Sequence, residues 1–117
     1  IGSSIGIVML YQSLSLIATQ FNHANLKLPK KVDLLLSYFI VSPDMHKVHH
    51  HCVLPYTDSN YGNIFSFWDR LFGTYKRLDR EKVVYGVDVF YDEKTNSKIS
   101  SLLIQPFQKY KKPTAEK

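Results

Sequence analysis

A single cysteine, Cys52, occurs in 117 residues, which excludes an intrachain disulfide framework and makes no case for a cysteine-built zinc site; a small buried apolar residue is its plain reading. Charge is absent from the opening stretch, where no Asp, Glu, Lys or Arg precedes Lys27. No Ser-His-Asp arrangement, glycine-rich phosphate loop, paired catalytic carboxylates or internal repeat is present, and the length admits one domain at most. The net charge of +5 comes from Lys30, Lys31, Lys47, Lys76, Arg77 and a lysine-rich tail from Lys109. These residues are scattered among acids such as Asp79, Glu81 and Asp88, with no aromatic-basic repeat, so nucleic-acid binding is set aside.

What the chain does have is histidine in one place. Four of its five histidines fall in His46-Lys47-Val48-His49-His50-His51. At about 100° per residue, His46, His49 and His50 share one face of a helix, and His51 turns away. Neutral imidazole is the commonest protein metal ligand, and three rings on one face could bind a metal without the chain folding back. Ser42 as N-cap, Pro43 at the first helical position and Asp44 at the positive end of the dipole predict that a helix starts just before the cluster. A histidine-rich surface with no specific metal is the bland alternative. A pH-sensing patch finds little support, because Asp44 and Asp58 are the only acids nearby.

Ile5 to Phe21 is mostly apolar, with Leu10, Leu14, Ile17 and Phe21 along one stripe, and a helix over 1–21 spans about 31 Å, close to the thickness of a bilayer's hydrocarbon core. Gly2, Ser3, Ser4, Gly6, Ser13 and Ser15 dilute it with the small residues that packed membrane helices use. A transmembrane helix is the expectation here, a buried helix of a soluble core the alternative. No basic n-region or cleavage site marks a secretory signal. The chain opens at Ile1 directly into this stretch, so it reads as a C-terminal portion, with the basic bias after the helix placing 22–107 on the cytosolic face.

Further along, Pro29 to Val41 predicts a second helix, short for a span and so re-entrant or interfacial. Pro55 to Gly62 is a turn-rich loop. Ile64 to Phe72 predicts an amphipathic helix ended by Gly73 at C′, with Phe65, Trp68 and Phe72 on one face. Val83 to Tyr91 predicts a short extended segment, and Ser97 to Ile104 a last helix stopped before Pro106. Residues 108–117 form a solvated basic tail, expected to be disordered. The fold class is all-α, membrane-spanning and interfacial helices carrying the histidines on a cytosolic face.

Phe21-Asn22-His23-Ala24-Asn25, Ser42-Pro43 leading to His46-x-x-His49-His50, Asn60-Tyr61-Gly62 and Trp68-Asp69-Arg70-Leu71-Phe72-Gly73-Thr74-Tyr75 occur in that order. Together they resemble the C-terminal half of the fatty acid hydroxylase/sterol desaturase superfamily, over most of the chain to about Phe107. The resemblance implies an integral membrane enzyme whose histidines hold two irons at the cytosolic ends of its helices and activate O2 against a fatty acyl or sterol C–H bond. It implies His23, His46, His49 and His50 as metal ligands. Imidazoles suit such chemistry, because they are neutral and resist oxidation where thiolates would not.

His51 stands where the pattern expects no ligand, and reads as a surface or outer-sphere histidine. Asp58 and Asn60 are close enough in chain to accept imidazole N–H bonds and fix ligand tautomers, with loop capping as the alternative. Trp68 and Asp69 anchor their helix, and Asn22 and Asn25 satisfy helix-end groups. The resemblance further implies a cytochrome b-type or ferredoxin-type electron donor, and residence in the endoplasmic reticulum or a bacterial inner membrane. No histidine precedes His23, so upstream histidine boxes are needed and the chain alone is expected to be inactive. A membrane-attached metal-binding or interaction module without catalysis is the alternative function.

Overall fold

A computed structural model of the chain describes residues 2–86, 89 and 96–109. The described residues form helices α1 (Ile5–His23), α2 (Lys30–Leu36), α3 (Pro43–His49), α4 (Phe67–Leu71) and α5 (Ile99–Ile104), with 3-10 turns at Arg80–Lys82 and Gln105–Phe107. Among them the only β pairing is two isolated antiparallel bridges, Ile40 with Phe65 and His51 with Tyr85, in keeping with the all-α expectation.

The helix that carries the histidines is the hub, packed on α1, α2 and the Arg80–Lys82 turn. It begins as its sequence predicts. Ser42 is the N-cap and accepts from Met45 N at 3.4 Å, with Pro43 in the first turn. A long-range contribution completes the cap: Ser42 Oγ donates to Asp33 Oδ2 (2.8 Å), and Asp33 Oδ1 accepts from Asp44 N (3.1 Å). The buried carboxylate of α2 therefore takes up a free N–H at the start of α3, where the helix dipole favours negative charge. Caps of this kind stabilise by about 1 kcal/mol.

The apolar core is small, consisting of Val41, Met45, Val48 and Cys52 among the described residues, whereas Asn22, Asp33, Ser42, Ser59, Asn60 and Asp69 are all buried polar groups. Burying such groups costs free energy unless they are bonded, and here directed bonds hold the loops in place. Asn60, at φ +50°, donates to Met45 O and Lys76 O and accepts from Lys76 N. Asp69 accepts from Tyr61 N (2.7 Å), Gly62 N (3.0 Å) and Thr74 Oγ1 (2.8 Å). A Cβ on Gly62 would lie 2.8 Å from both Asp69 Oδ2 and Phe65 O, so the third residue of Asn60-Tyr61-Gly62 has to be glycine for this close approach. Asp69 thus anchors its helix as expected, while Trp68 remains 48% exposed, stacked on Phe72 and tilted against Phe67.

Two predicted helices are shorter than their apolar patterns suggest, for one shared reason. Val41 N donates to Ile64 O and Ser66 N to Phe39 O around the Ile40–Phe65 bridge, so the end of the expected Pro29–Val41 helix and the start of the expected Ile64–Phe72 helix pair with each other as extended chain. Tertiary pairing overrides local periodicity there. Gly73 takes φ +71° just after α4, the predicted C′ role. The last helix begins at Ile99, and Pro106 lies in the following 3-10 turn. Tyr85 is paired with His51 as part of the expected extended segment; residues 87, 88, 90 and 91 of that segment, and 110–117 of the tail, lie outside the described residues.

The expected span over 1–21 corresponds to α1, but no helix of the described residues is long and apolar enough to cross a membrane. Gln12, Ser13, Ser15, Thr19 and Gln20 lower the hydropathy of α1. Its apolar side chains are nonetheless exposed, Ile5, Ile7, Met9, Leu10, Leu16 and Ile17 among them.

Candidate metal centre

The last residue of α1 meets the last turn of α3. His23 Nε2 lies 3.2 Å from His46 Nε2 and 3.3 Å from His50 Nε2, and the latter two are 3.2 Å apart. The rings meet edge to face, at 61–82°, so three ring nitrogens converge on one point from three directions. With metal–nitrogen bonds of about 2.1 Å, two imidazoles sharing an ion have nitrogens about 3.0–3.4 Å apart. The spacing fits a shared ion, and this group of three could hold one.

The proton positions fit as well. His23 Nδ1 is 2.9 Å from Thr19 O; a carbonyl only accepts, so Nδ1 carries the proton and Nε2 presents a lone pair. Burial, followed by His23, His50 and His49, lowers the His46 pKa from the usual 6.5 to about 4, against a smaller opposing effect of Asp69. Burial, His49 and His23 lower that of His50. Both are therefore neutral at pH 7, the state in which imidazole binds metal.

His49 stands beside this group but is not part of it. Its Nδ1 donates to Ser59 O at 2.7 Å, which leaves its Nε2 as a lone pair too. Its ring stacks on His46 at 5.6 Å and meets Tyr61 at 5.7 Å. The helix-face argument thus brings His46, His49 and His50 to one region, and the tertiary fold adds His23 to two of them.

The family model for fatty acid hydroxylase matches residues 1–74. The chain belongs to the fatty acid hydroxylase family. It is 38% identical over 56 residues to alkylglycerol monooxygenase of Homo sapiens, a match covering 44% of this chain and 12% of that protein. The corresponding enzyme of Xenopus tropicalis is 39% identical, with 11% of its length covered, and that of Danio rerio is 38% identical, also with 11% covered. The chain therefore spans only a small part of the length of these relatives. No solved structure matches it.

The three residues considered for the outer sphere of this fatty acid hydroxylase family member take separate places. Asp58 is exposed and faces the Tyr61 phenol; desolvation first, and Asp58 next, push the phenol pKa above its usual value. Asn60 binds main-chain groups of Met45 and Lys76 and no imidazole. His51 is not on the surface: it is 6% exposed, with Nδ1 accepting from Val84 N at 3.0 Å. The groups that do orient ligand-type imidazoles are the carbonyls of Thr19 and Ser59. Sequence reasoning missed them because every residue has a carbonyl and no side chain marks these two.

The lowered His46 pKa makes a stability prediction for the metal-free protein. A histidine whose folded pKa lies below its unfolded value contributes stability above pH 6.5 that is lost as pH falls toward about 4, because the unfolded chain takes up the proton first. The expected loss is about 1–2 kcal/mol, reduced by solvent screening of a partly open ring. Urea unfolding midpoints measured across that window should fall in the wild type and fall less in His46→Gln; parallel slopes would contradict the assignment.

Proposed function

We propose that this chain supplies one iron-binding part of a membrane di-iron oxygenase that uses O2 to oxidise a lipid C–H bond. The observation that carries the reading is the convergence of three imidazole nitrogens of His23, His46 and His50 in a member of the fatty acid hydroxylase family. His49, outside this group and with Nδ1 on the Ser59 carbonyl, is the candidate ligand of a second ion. Bound there, iron would supply the oxidising power that an unactivated C–H bond requires. The chain's own residues hold the geometry: Thr19 and Ser59 carbonyls fix the tautomers of His23 and His49, Asp33 and Ser42 start the helix that carries the ligands, and Asn60 ties Met45 to the 76 segment.

Among the described residues one group of three such ligands is found, too few for two ions. The chain alone is therefore expected to hold one ion at most and to be catalytically silent, with further histidines supplied by the rest of the enzyme. The exposed apolar side chains of α1 suit contact with lipid or with other membrane helices. Together with the family, this supports a membrane location for the enzyme, the endoplasmic reticulum of a eukaryote or the inner membrane of a bacterium, and a cytochrome b-type or ferredoxin-type protein is the electron donor in this reading. The names of the relatives favour an alkylglycerol as the lipid. The overall change is balanced by one oxygen atom entering the C–H bond and the other leaving as water, with two electrons and two protons from the donor side.

The test is a product analysis of the full-length enzyme in detergent with an alkylglycerol, a reductase system and isotopically labelled dioxygen. Incorporation of one labelled oxygen atom into the lipid is the expected result. A product that carries no label would point to a reaction other than oxygen insertion, and no product at all from an iron-loaded enzyme would favour the non-catalytic metal-binding module.

A further inference from the structure

His51 is the one histidine of the cluster that faces away from the metal centre, and it is nearly inaccessible. We propose that it is a positioning residue, whose imidazole pins Val84–Gly86 across the end of α3 so that Tyr85 walls one side of the pocket lined by His23, His46 and His50. The proposal rests on the reading of those three residues as a metal site.

Hydrogen-bond partners sort the histidines by role. His23 and His49 turn Nδ1 toward carbonyls, Thr19 O and Ser59 O, and so carry the proton there and keep Nε2 free for a ligand. His51 does the reverse. Its Nδ1 faces the Val84 N–H, which can only donate, so Nδ1 holds the lone pair and the neutral ring keeps its proton on Nε2. The bond that would compete with a metal is already made.

That bond closes a short ladder. Cys52 N donates to Val84 O at 2.9 Å and Gly86 N to His50 O at 3.3 Å, around the His51–Tyr85 bridge. The return bond from Val84 N–H goes to the His51 ring, which stands in for a main-chain carbonyl. The approach is close: a Cβ on Gly86 would lie 3.0 Å from Cys52 Cβ. Tyr56 meets the His51 ring edge-on at 5.5 Å and holds it in place. Through this ladder the backbone of His50 is tied to the segment, and Tyr85 and Gly86 join His23, His46 and His50 around one pocket. The segment lies beyond the 1–74 that match the family, so this wall comes from sequence outside the matched region.

The experiment uses the full chain in detergent, Co2+ as the probe metal, and His51→Ala, His51→Asn and Tyr85→Ala variants. An Asn side-chain oxygen can accept the Val84 N–H in place of Nδ1, so His51→Asn is the rescue. Transfer of Co2+ to excess chelator should be about 10-fold faster in His51→Ala and Tyr85→Ala than in the wild type, with metal stoichiometry unchanged, and near the wild-type rate in His51→Asn. Hydrogen exchange should show the amides of Val84 and Gly86 protected in the wild type, His51→Asn and Tyr85→Ala, and unprotected in His51→Ala. Loss of Co2+ stoichiometry in His51→Ala would make His51 a ligand and overturn the proposal. So would unchanged transfer rates in both alanine variants; Tyr85 is 63% exposed, so its variant reports even if His51→Ala fails to fold. A wild type that takes up no Co2+ defeats the metal reading itself, and amide protection then decides: equal protection in wild type and His51→Ala removes the pin.

Discussion

His46→Ala is expected to empty the metal centre. Iron retained by the full-length enzyme through gel filtration should lose the ion held by His23, His46 and His50, and affinity for a Co2+ probe at that site should fall by at least about 100-fold, since even outer-sphere changes at metal sites cost about 10–100-fold. The reason lies in the geometry. His46 Nε2 is 3.2 Å from both of the other nitrogens, and His46 is the least exposed of the three residues, so its removal leaves two imidazoles with no third His, Cys, Asp or Glu ligand grouped with them among the described residues. His50→Ala should act the same way. His49→Ala separates the two ions, because its nitrogen lies outside the group of three: the ion of that group should remain, and any second ion should be lost. Retention of full metal content in both His46→Ala and His50→Ala would show that these rings do not hold the metal.

Asp69→Ala is expected to lower the unfolding free energy by about 3–5 kcal/mol, the range for breaking a buried charged network. Asp69 is 2% exposed and its carboxylate takes three bonds, two of them from the consecutive amides of Tyr61 and Gly62. Alanine would leave those N–H groups without a partner in a space too tight for easy solvation. Asp69→Asn should cost less than alanine but still destabilise, because one oxygen remains to accept while the new NH2 faces a donor. Denaturant unfolding of the three chains checks the order wild type, Asn, Ala. Equal stabilities would mean that the loop holds its shape through other contacts, such as the Asn60 clamp.

Much of the site is legible in the residues themselves. Offsets of three and four place His46, His49 and His50 on one face because an α-helix turns by a fixed angle per residue, and Ser42-Pro43-Asp44 starts that helix through bonds made within its own first turn. The ordered motifs from His23 to Tyr75 identify the family for the same reason: each is a local pattern with a local cause. Asn60-Tyr61-Gly62 and Trp68-Asp69 are visible as words, but their meaning is not, since the contact between Gly62 and the Asp69 carboxylate exists only once the chain has folded.

Only the tertiary structure decided which histidines converge. His23 reaches His46 and His50 because α1 packs on α3; His49 is turned to Ser59, although in sequence it shares the helix face of His46 and His50, and His51, which the helix face already sets apart, is turned to Val84. The same holds for the two helices that stop short, where Phe39–Val41 pairs with Ile64–Ser66. For His49, His51 and the two shortened helices the deciding partner is a main-chain carbonyl or amide outside the local turn, and main-chain groups are the same at every residue. Periodicity, caps and motif order are properties of neighbouring residues and were determined by the sequence alone, whereas the choice among the imidazoles depends on which helix or backbone atom the fold brings to each ring.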